Sequence, residues 1–271
     1  MLGAIIGDIV GSVYEFNNYR AKDFRPFFHA QAFFTDDTVC TVAVADALLN
    51  DRAPAVALKD WGRRYWHVGG WGARFGDWLS GDDMRPYGSY GNGAAMRVSP
   101  AGMLAESAED AIALANRVTE VTHDHPEGLR GAAATAVAIH LARAGSPARG
   151  IRAEVAQRFR YDLSASVDEI RPNYRYNETC QDSVPQALIC ALEASDFEDA
   201  IRNAISIGGD SDTIAAIAGG VAEALFGIPE HVSASASSFL PDDMREVVTA
   251  LYQRAHRNAQ DAQGTGHDVP T

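Results

Sequence analysis

Apolar residues spaced three and four apart recur from one end of this chain to the other, and the alternating or uninterrupted β-branched runs that make strands are scarce beside them. That spacing gathers apolar side chains on one face of an α-helix. It predicts helices over Thr38 to Leu49, Pro54 to His67, Ser107 to Val121, Pro126 to Ala144, Pro147 to Arg160, Asp182 to Glu193, Asp196 to Ile207, Thr213 to Phe226 and Asp242 to His256. Pro126 and Pro147 fit first helical turns, where a missing N–H costs no bond, Asp196 and Asp199 cap and charge another start, and Gly145 and Gly227 mark stops. The expected class is all-α. At 271 residues and 46% hydrophobic composition the chain can bury a full-sized core. We expect one domain over 1–259 and a flexible, polar, unpatterned tail over 260–271.

Two stretches lack helical period, Tyr14 to Phe34 and Gly69 to Pro100. Neither has the Ser/Pro-rich or single-charge composition of an interdomain linker, so both are expected as loops over a site, with the KDFRPFF run at 22–28 as a flap that gates it. At the N-terminus Gly3, Gly7 and Gly11 fall on one helix face bare of side chains. That face fits a close helix crossing with no chemistry, or a crossing that also delivers Asp8 and Glu15 to a crowded centre.

The formal charge of −13 repels nucleic acid and anionic membrane unless bound cations reverse it locally. Cys40, Cys180 and Cys190 are too few and too scattered for a disulfide framework or a zinc site and fit a reducing cytoplasm. MLGAIIGDIVGSVYEF has no basic leader region and carries Asp8 in its middle, and no stretch holds the roughly 18 apolar residues of a spanning helix. A soluble cytoplasmic monomer is expected.

The chemistry-bearing residues sit in two acidic clusters at opposite ends of the chain: Thr35-Asp36-Asp37-Thr38 and Gly209-Asp210-Ser211-Asp212-Thr213. Each precedes an apolar-periodic run, so each can be a helix N-cap. One cap oxygen suffices, however, and two adjacent carboxylates repel unless a cation lies between them. With the neighbouring Thr hydroxyls, Thr35, Asp36, Asp37, Asp210, Asp212 and Thr213 supply hard oxygen donors for two Mg²⁺ or Mn²⁺ ions if folding brings the clusters together; the absence of Cys and His argues against Zn²⁺. The run YGSYGNGAAMR at 87–97 can be an ordinary turn or a loop that exposes backbone N–H groups to an anion, with Tyr90 and Arg97 adding a stacking or cationic option. Thr122-His123-Asp124-His125 invites comparison with helical HD-type phosphohydrolases, for which His67 and His140 are the further candidates; a structural or ligand-contacting His123 is the alternative.

Taken together, GAIIGDIVGSVYEF at 3–16, TDDT at 35–38, GSYGNGAAMRVSP at 88–100, TH at 122–123 and GGDSDTIAAIAGG at 208–220 resemble the ADP-ribosylglycohydrolase family, which includes the dinitrogenase reductase activating glycohydrolases. The resemblance runs from about residue 1 to 230 with the motifs in the expected order. It implies a compact, orthogonal all-α domain with a binuclear Mg²⁺ or Mn²⁺ centre that frees ADP-ribose from a modified protein side chain, arginine by family analogy. On that resemblance Thr35, Asp36, Asp37, Asp210, Asp212 and Thr213 fall on metal-ligand positions. Gly88, Ser89, Tyr90, Gly91, Asn92 and Gly93 fall on the loop for the diphosphate and distal ribose, His123 on a ribose-contacting position, and Glu15 on an acidic residue of a mobile segment over the site, the candidate general acid or base. Serine-linked ADP-ribose and O-acetyl-ADP-ribose are alternative substrates. A non-catalytic ADP-ribose reader or a crystallin-like relative is the alternative from another class.

Overall fold

The computed structural model describes residues 1–264, and its regular structure is helical. In chain order the helices are α1 (Leu2–Gly11), α2 (Asp36–Leu49), α3 (Pro54–Arg64), α4 (Ala73–Ser80), α5 (Gly93–Met96), α6 (Ser99–Leu104), α7 (Ala108–Thr119) and α8 (Pro126–Arg143). They continue as α9 (Ala148–Phe159), α10 (Val167–Ile170), α11 (Cys180–Leu192), α12 (Phe197–Ser206), α13 (Ser211–Phe226), α14 (Glu230–Ser237) and α15 (Asp242–Gly264). Among the described residues the β pairing is a single isolated bridge between Gly91 and Thr179. The all-α expectation therefore holds. Every segment with helical period contains a helix, and the last runs on to Gly264; the rest of the tail expected over 260–271 lies outside the described residues.

The Gly69 to Pro100 stretch differs from its expectation as a loop, because α4, α5 and the start of α6 fall inside it. These helices are too short to print a period. In α4 a single turn buries Phe75, Trp78 and Leu79, and the buried Lys59 donates from α3 to the Trp78 carbonyl at 2.6 Å, satisfying a carbonyl that the helix end leaves free.

Helix α13 is buried from Ser211 to Ala222 and forms the centre of the molecule, with α1, α8, α11 and α12 packed around it. Its contact with α1 is made by the bare glycine face. A Cβ built on Gly3 would lie 2.3 Å from the Gly219 carbonyl oxygen, and one on Gly11 2.4 Å from the Asp212 Cα. Ile5, Ile6 and Ile9 are meanwhile fully buried, each contributing about 1.5–3 kcal/mol of apolar burial. Close backbone contact here is what brings the segment after α1 to the start of α13.

Residues 12–35 contain no helix, but the expected flap at 22–28 is anchored to the body and takes no part in lining the central cavity. Phe24 is 3% exposed, Arg202 donates to the Lys22 and Phe24 carbonyls at 2.9 and 3.0 Å, and Phe27, Phe28 and Phe239 continue a chain of ring contacts. Its aromatic side chains gain more from burial than a gate swinging into solvent would allow.

Candidate active site

The N-termini of α2 and α13 meet, and the two acidic clusters meet with them. The Thr213 hydroxyl donates to Asp37 Oδ2 at 3.3 Å across the junction. At α2 the capping alternative is also true: Thr35 Oγ1 accepts from the Asp37 N–H at 3.3 Å while donating to Asp8 Oδ1 at 2.7 Å. At α13 it is not, because Asp210 makes no side-chain cap bond and its carboxylate accepts instead from Asn92 Nδ2 at 2.7 Å. Both helix dipoles point their positive ends at this cluster.

Asp8, fully buried on α1, ties the first cluster in place by accepting from the backbone N–H and hydroxyl of both Thr35 and Thr38. Burial pushes its carboxyl up to about 6 against the lowering effect of those four bonds. Asp36, Asp37 and Asp212 are raised well above the usual carboxylate range, by burial first and then by one another and by Asp8 and Asp210. Glu15 is pushed up to about 7, chiefly by burial and the Asp210 charge, with Glu178 and Asp8 adding to it.

Such a cluster is electrostatically incomplete. Asp37 Oδ1 is buried with no hydrogen-bond partner, and oxygens of Glu15, Asp210 and Asp212 lie within 4.8 Å of one another. Asp36 and Asp37 are not part of that group of three, but an orphaned carboxylate oxygen beside an all-oxygen donor group fits a hard divalent cation. Among the described residues this is the one group of three ligating side chains, and it holds no histidine, against the HD-type reading. His140 faces the Ala105 carbonyl at 3.2 Å, and His123 Nδ1 faces Arg97 and Thr122.

A cavity of about 340 Å³ opens over the cluster, lined by Glu15, Asp36, Asp37, Asp210, Asp212 and Thr213 on one side and by Ser89, Gly91, Asn92, Gly93 and His123 on another. Of the residues read from sequence, Thr35, Gly88 and Tyr90 do not line it. Thr35 is turned to Asp8; Tyr90 is 44% exposed, its ring centroid 5.1 Å from that of His125.

The glycine loop departs from the expectation of free amides. The Gly88 N–H donates to Asp124 Oδ1 at 2.7 Å, Ser89 to the Thr122 carbonyl at 3.3 Å, Gly91 to Ser89 Oγ at 3.2 Å and Asn92 to the Glu178 carbonyl at 2.7 Å. Four of its N–H groups thus hold the loop itself in shape. Positive charge at this end comes instead from Arg74 and Arg97, both lining the cavity and neither in an ion pair among the described residues.

Glu15 overhangs the cluster from the turn after α1, and Asn18 fixes that turn. Asn18 Nδ2 donates to the Gly209 carbonyl at 2.9 Å and Asn18 Oδ1 accepts from the Gly209 N–H at 2.8 Å, so one amide clasps the loop that carries Asp210. Gly208 and Gly209 turn that loop with φ of 69° and 83°, which a side chain would strain. Opposite Glu15 stand Tyr176 and Glu178, which sequence reading missed. Tyr176 donates to Glu178 Oε1 at 2.9 Å and lies 3.4 Å from Glu15 Oε1. Their segment has neither period nor motif, and the Gly91–Thr179 bridge, with Arg20 on the Tyr174 carbonyl and Ser183 on the Asn177 carbonyl, carries it to the site. Arg74, likewise missed, reaches the cavity from α4.

Fold and site define an all-α protein with a buried carboxylate centre under a cavity. Residues 1–262 match the model of the ADP-ribosylglycohydrolase family, and the chain belongs to that family. It is 26% identical to the mouse (Mus musculus) ADP-ribosylhydrolase ARH3 over 97% of this chain and 91% of that protein. It is 27% identical to the ADP-ribosylarginine hydrolase Tri1 of Pseudomonas putida over 94% of this chain and 77% of that protein. A solved structure described as an ADP-ribosylglycohydrolase-related protein complex superposes with a TM-score of 0.66 at 25% identity, covering 94% of this chain and 97% of that one. Among the described residues no helix is long and apolar enough to cross a membrane.

Proposed function

We propose that this protein hydrolyses the bond between ADP-ribose and a modified protein side chain, with arginine as the modified residue, and that two Mg²⁺ or Mn²⁺ ions are held by Asp36, Asp37, Asp210, Asp212 and Thr213, with Thr35 offering the one hydroxyl lone pair that its bonds to Asp8 and the Asp37 N–H leave over. The observation that carries the reading is the convergence of both acidic clusters under one cavity, with Asp37 Oδ1 left buried and unpartnered. When bound, the ions would neutralise the carboxylates, orient ribose hydroxyls and acidify a water.

The chain's own residues account for the rest. Carboxylate oxygens of Asp210 and Asp212 line the cavity, and their partial negative charge favours the oxocarbenium character that develops as the anomeric bond breaks. Glu15, pushed up to about 7 by burial and Asp210, can hold or release a proton near neutrality and stands where a leaving group or water would need one. Arg74 and the buried Arg97 make the far end of the cavity positive for the diphosphate. Glu15, Glu178 and Tyr176 make an acidic, aromatic mouth, with Phe16 stacked on Tyr176 at 6.4 Å. A cationic, planar guanidinium matches that mouth better than a neutral serine hydroxyl does. The three free, buried cysteines suit a reducing cytoplasm, where we place the protein as a monomer acting on ADP-ribosylated proteins.

The test is to incubate the protein with arginine- and serine-ADP-ribosylated substrates in Mg²⁺ or Mn²⁺, with EDTA controls, and to quantify free ADP-ribose. Release from the arginine substrate alone, lost in EDTA, is expected. Release from the serine substrate alone overturns the linkage, and release from neither, despite ADP-ribose binding, overturns the hydrolase in favour of a reader. Glu15→Gln is expected to lower kcat about 100-fold or more, with ADP-ribose affinity kept within about threefold.

A further inference from the structure

We infer that Arg97 and Thr122 are positioning residues that hold His123 as the neutral Nε2–H tautomer, so that it offers the cavity one fixed hydrogen-bond donor for a ligand oxygen. Arg97 is 1% exposed, and its Nη2 lies 2.6 Å from Thr122 Oγ1 and 3.2 Å from His123 Nδ1. Thr122 Oγ1 is 2.8 Å from the same nitrogen and is itself fully buried. A guanidinium has donors only, so the nitrogen it faces has to present a lone pair; a proton there would set N–H against N–H. The ring proton is then left to Nε2.

Glycine leaves that side of the ring uncovered: the Cβ that Gly93 and Gly91 lack would lie in ordinary van der Waals contact with His123 Nε2, at 3.4 and 3.6 Å. The groups facing the ring are the cations Arg97 and Arg74 and the Tyr87 ring, whose centroid is 6.1 Å away; among the described residues no carboxylate bonds to it. Nothing nearby rewards a second proton, and burial opposes one, which holds His123 well below the ordinary histidine range.

A donor that never titrates binds its oxygen equally well over the whole physiological pH range. A ribose hydroxyl and a phosphate oxygen both supply such an acceptor. That the oxygen belongs to ADP-ribose rests on the function proposed above; the tautomer does not.

The test is ¹⁵N NMR of protein labelled at its histidine rings, from about pH 5 to 9, with His123 assigned through His123→Asn. Expected is an unprotonated Nδ1 and a protonated Nε2 throughout, with no titration. Arg97→Lys and the near-isosteric Thr122→Val should let His123 titrate or populate the other tautomer, and should weaken ADP-ribose about five- to tenfold. Thr122→Val carries the test if Arg97→Lys does not fold. A wild-type His123 that titrates as an ordinary histidine, or that carries its proton on Nδ1, overturns the inference. So do variants that lose affinity while the ring keeps its tautomer and its silence, since the pair would then be merely structural. A perturbed Nε2 proton with ADP as well as ADP-ribose would identify a phosphate oxygen, and with ADP-ribose alone a ribose hydroxyl; either supports the donor role. The expected tautomer with no ADP-ribose binding would sustain this inference and sink the proposed function.

Discussion

Replacing Asp212 by asparagine is expected to cut kcat/KM by about 10³-fold or more while making the metal-free protein more stable. Asparagine keeps an oxygen for the Thr213 N–H, which donates to Asp212 Oδ1 at 2.9 Å, and it removes one charge from a fully buried cluster in which Asp210, Asp37, Glu15 and Asp8 all oppose ionisation. A gain of about 1–2 kcal/mol in EDTA follows from one such repulsion relieved. The sign of the pH dependence follows from the raised carboxyls. Asp8 is pushed up to about 6 and Glu15 to about 7, so the folded chain holds protons that the unfolded chain has already released. Their contribution to stability is present in full below the ordinary value of about 4 and is lost as pH rises through about 7. Cations should replace those protons and reverse the trend. Thermal melts from about pH 4 to 8 with EDTA or Mg²⁺ measure this. An EDTA profile parallel to the Mg²⁺ profile, or an Asp212→Asn variant no more stable in EDTA, would sink the idea that the cluster is a cation site.

The largest effect on folding is expected from Gly7→Ala, one methyl group added to α1. Its Cβ would lie 2.0 Å from the Ala215 carbonyl oxygen and 2.2 Å from the Ala215 carbonyl carbon. Both are backbone atoms of the central helix and cannot rotate aside. Helix α1 would have to lift from α13, at a cost of about 3 kcal/mol or more, moving Asp8 and Glu15 away from the cluster as it did so. Gly150→Ala is the matched control. It lies within α9, where a Cβ would meet only Pro147 at an ordinary 3.7 Å, so up to about 1 kcal/mol of added stability is expected there. Denaturant unfolding of both variants checks the pair. If Gly7→Ala were as stable as wild type, the glycine face would not set the distance between the two helices.

Helices long enough to repeat their apolar spacing were legible: α2, α8, α12 and α13 begin and end within a few residues of where period and caps put them. The eight residues of α4 show too little period to read, and their helix depends on Phe75, Trp78 and Leu79 finding the core and on Lys59 closing the end. Aromatic residues at 22–28 look the same in sequence whether they gate a site or staple a strap, and their burial decided for the staple.

The site divides along the same line. Two acids at the head of a helix are visible in sequence, and so is their excess over what a cap needs. Whether each caps or binds was not visible, because both uses call for the same residue types; Thr35 caps α2, whereas Asp210 turns to Asn92. The glycine loop could be read, but the fate of its amides could not, since Asp124, Thr122 and Glu178 take them up from elsewhere in the chain. The helical class, the family pattern and the identity of the acids could all be read along the chain, because each is local in spacing or composition. Folding alone brings the acids under one cavity, sets Tyr176, Glu178 and Arg74 beside them, and turns a guanidinium to His123 Nδ1. Those facts depend on approaches between residues far apart in the chain, and local spacing carries no record of them.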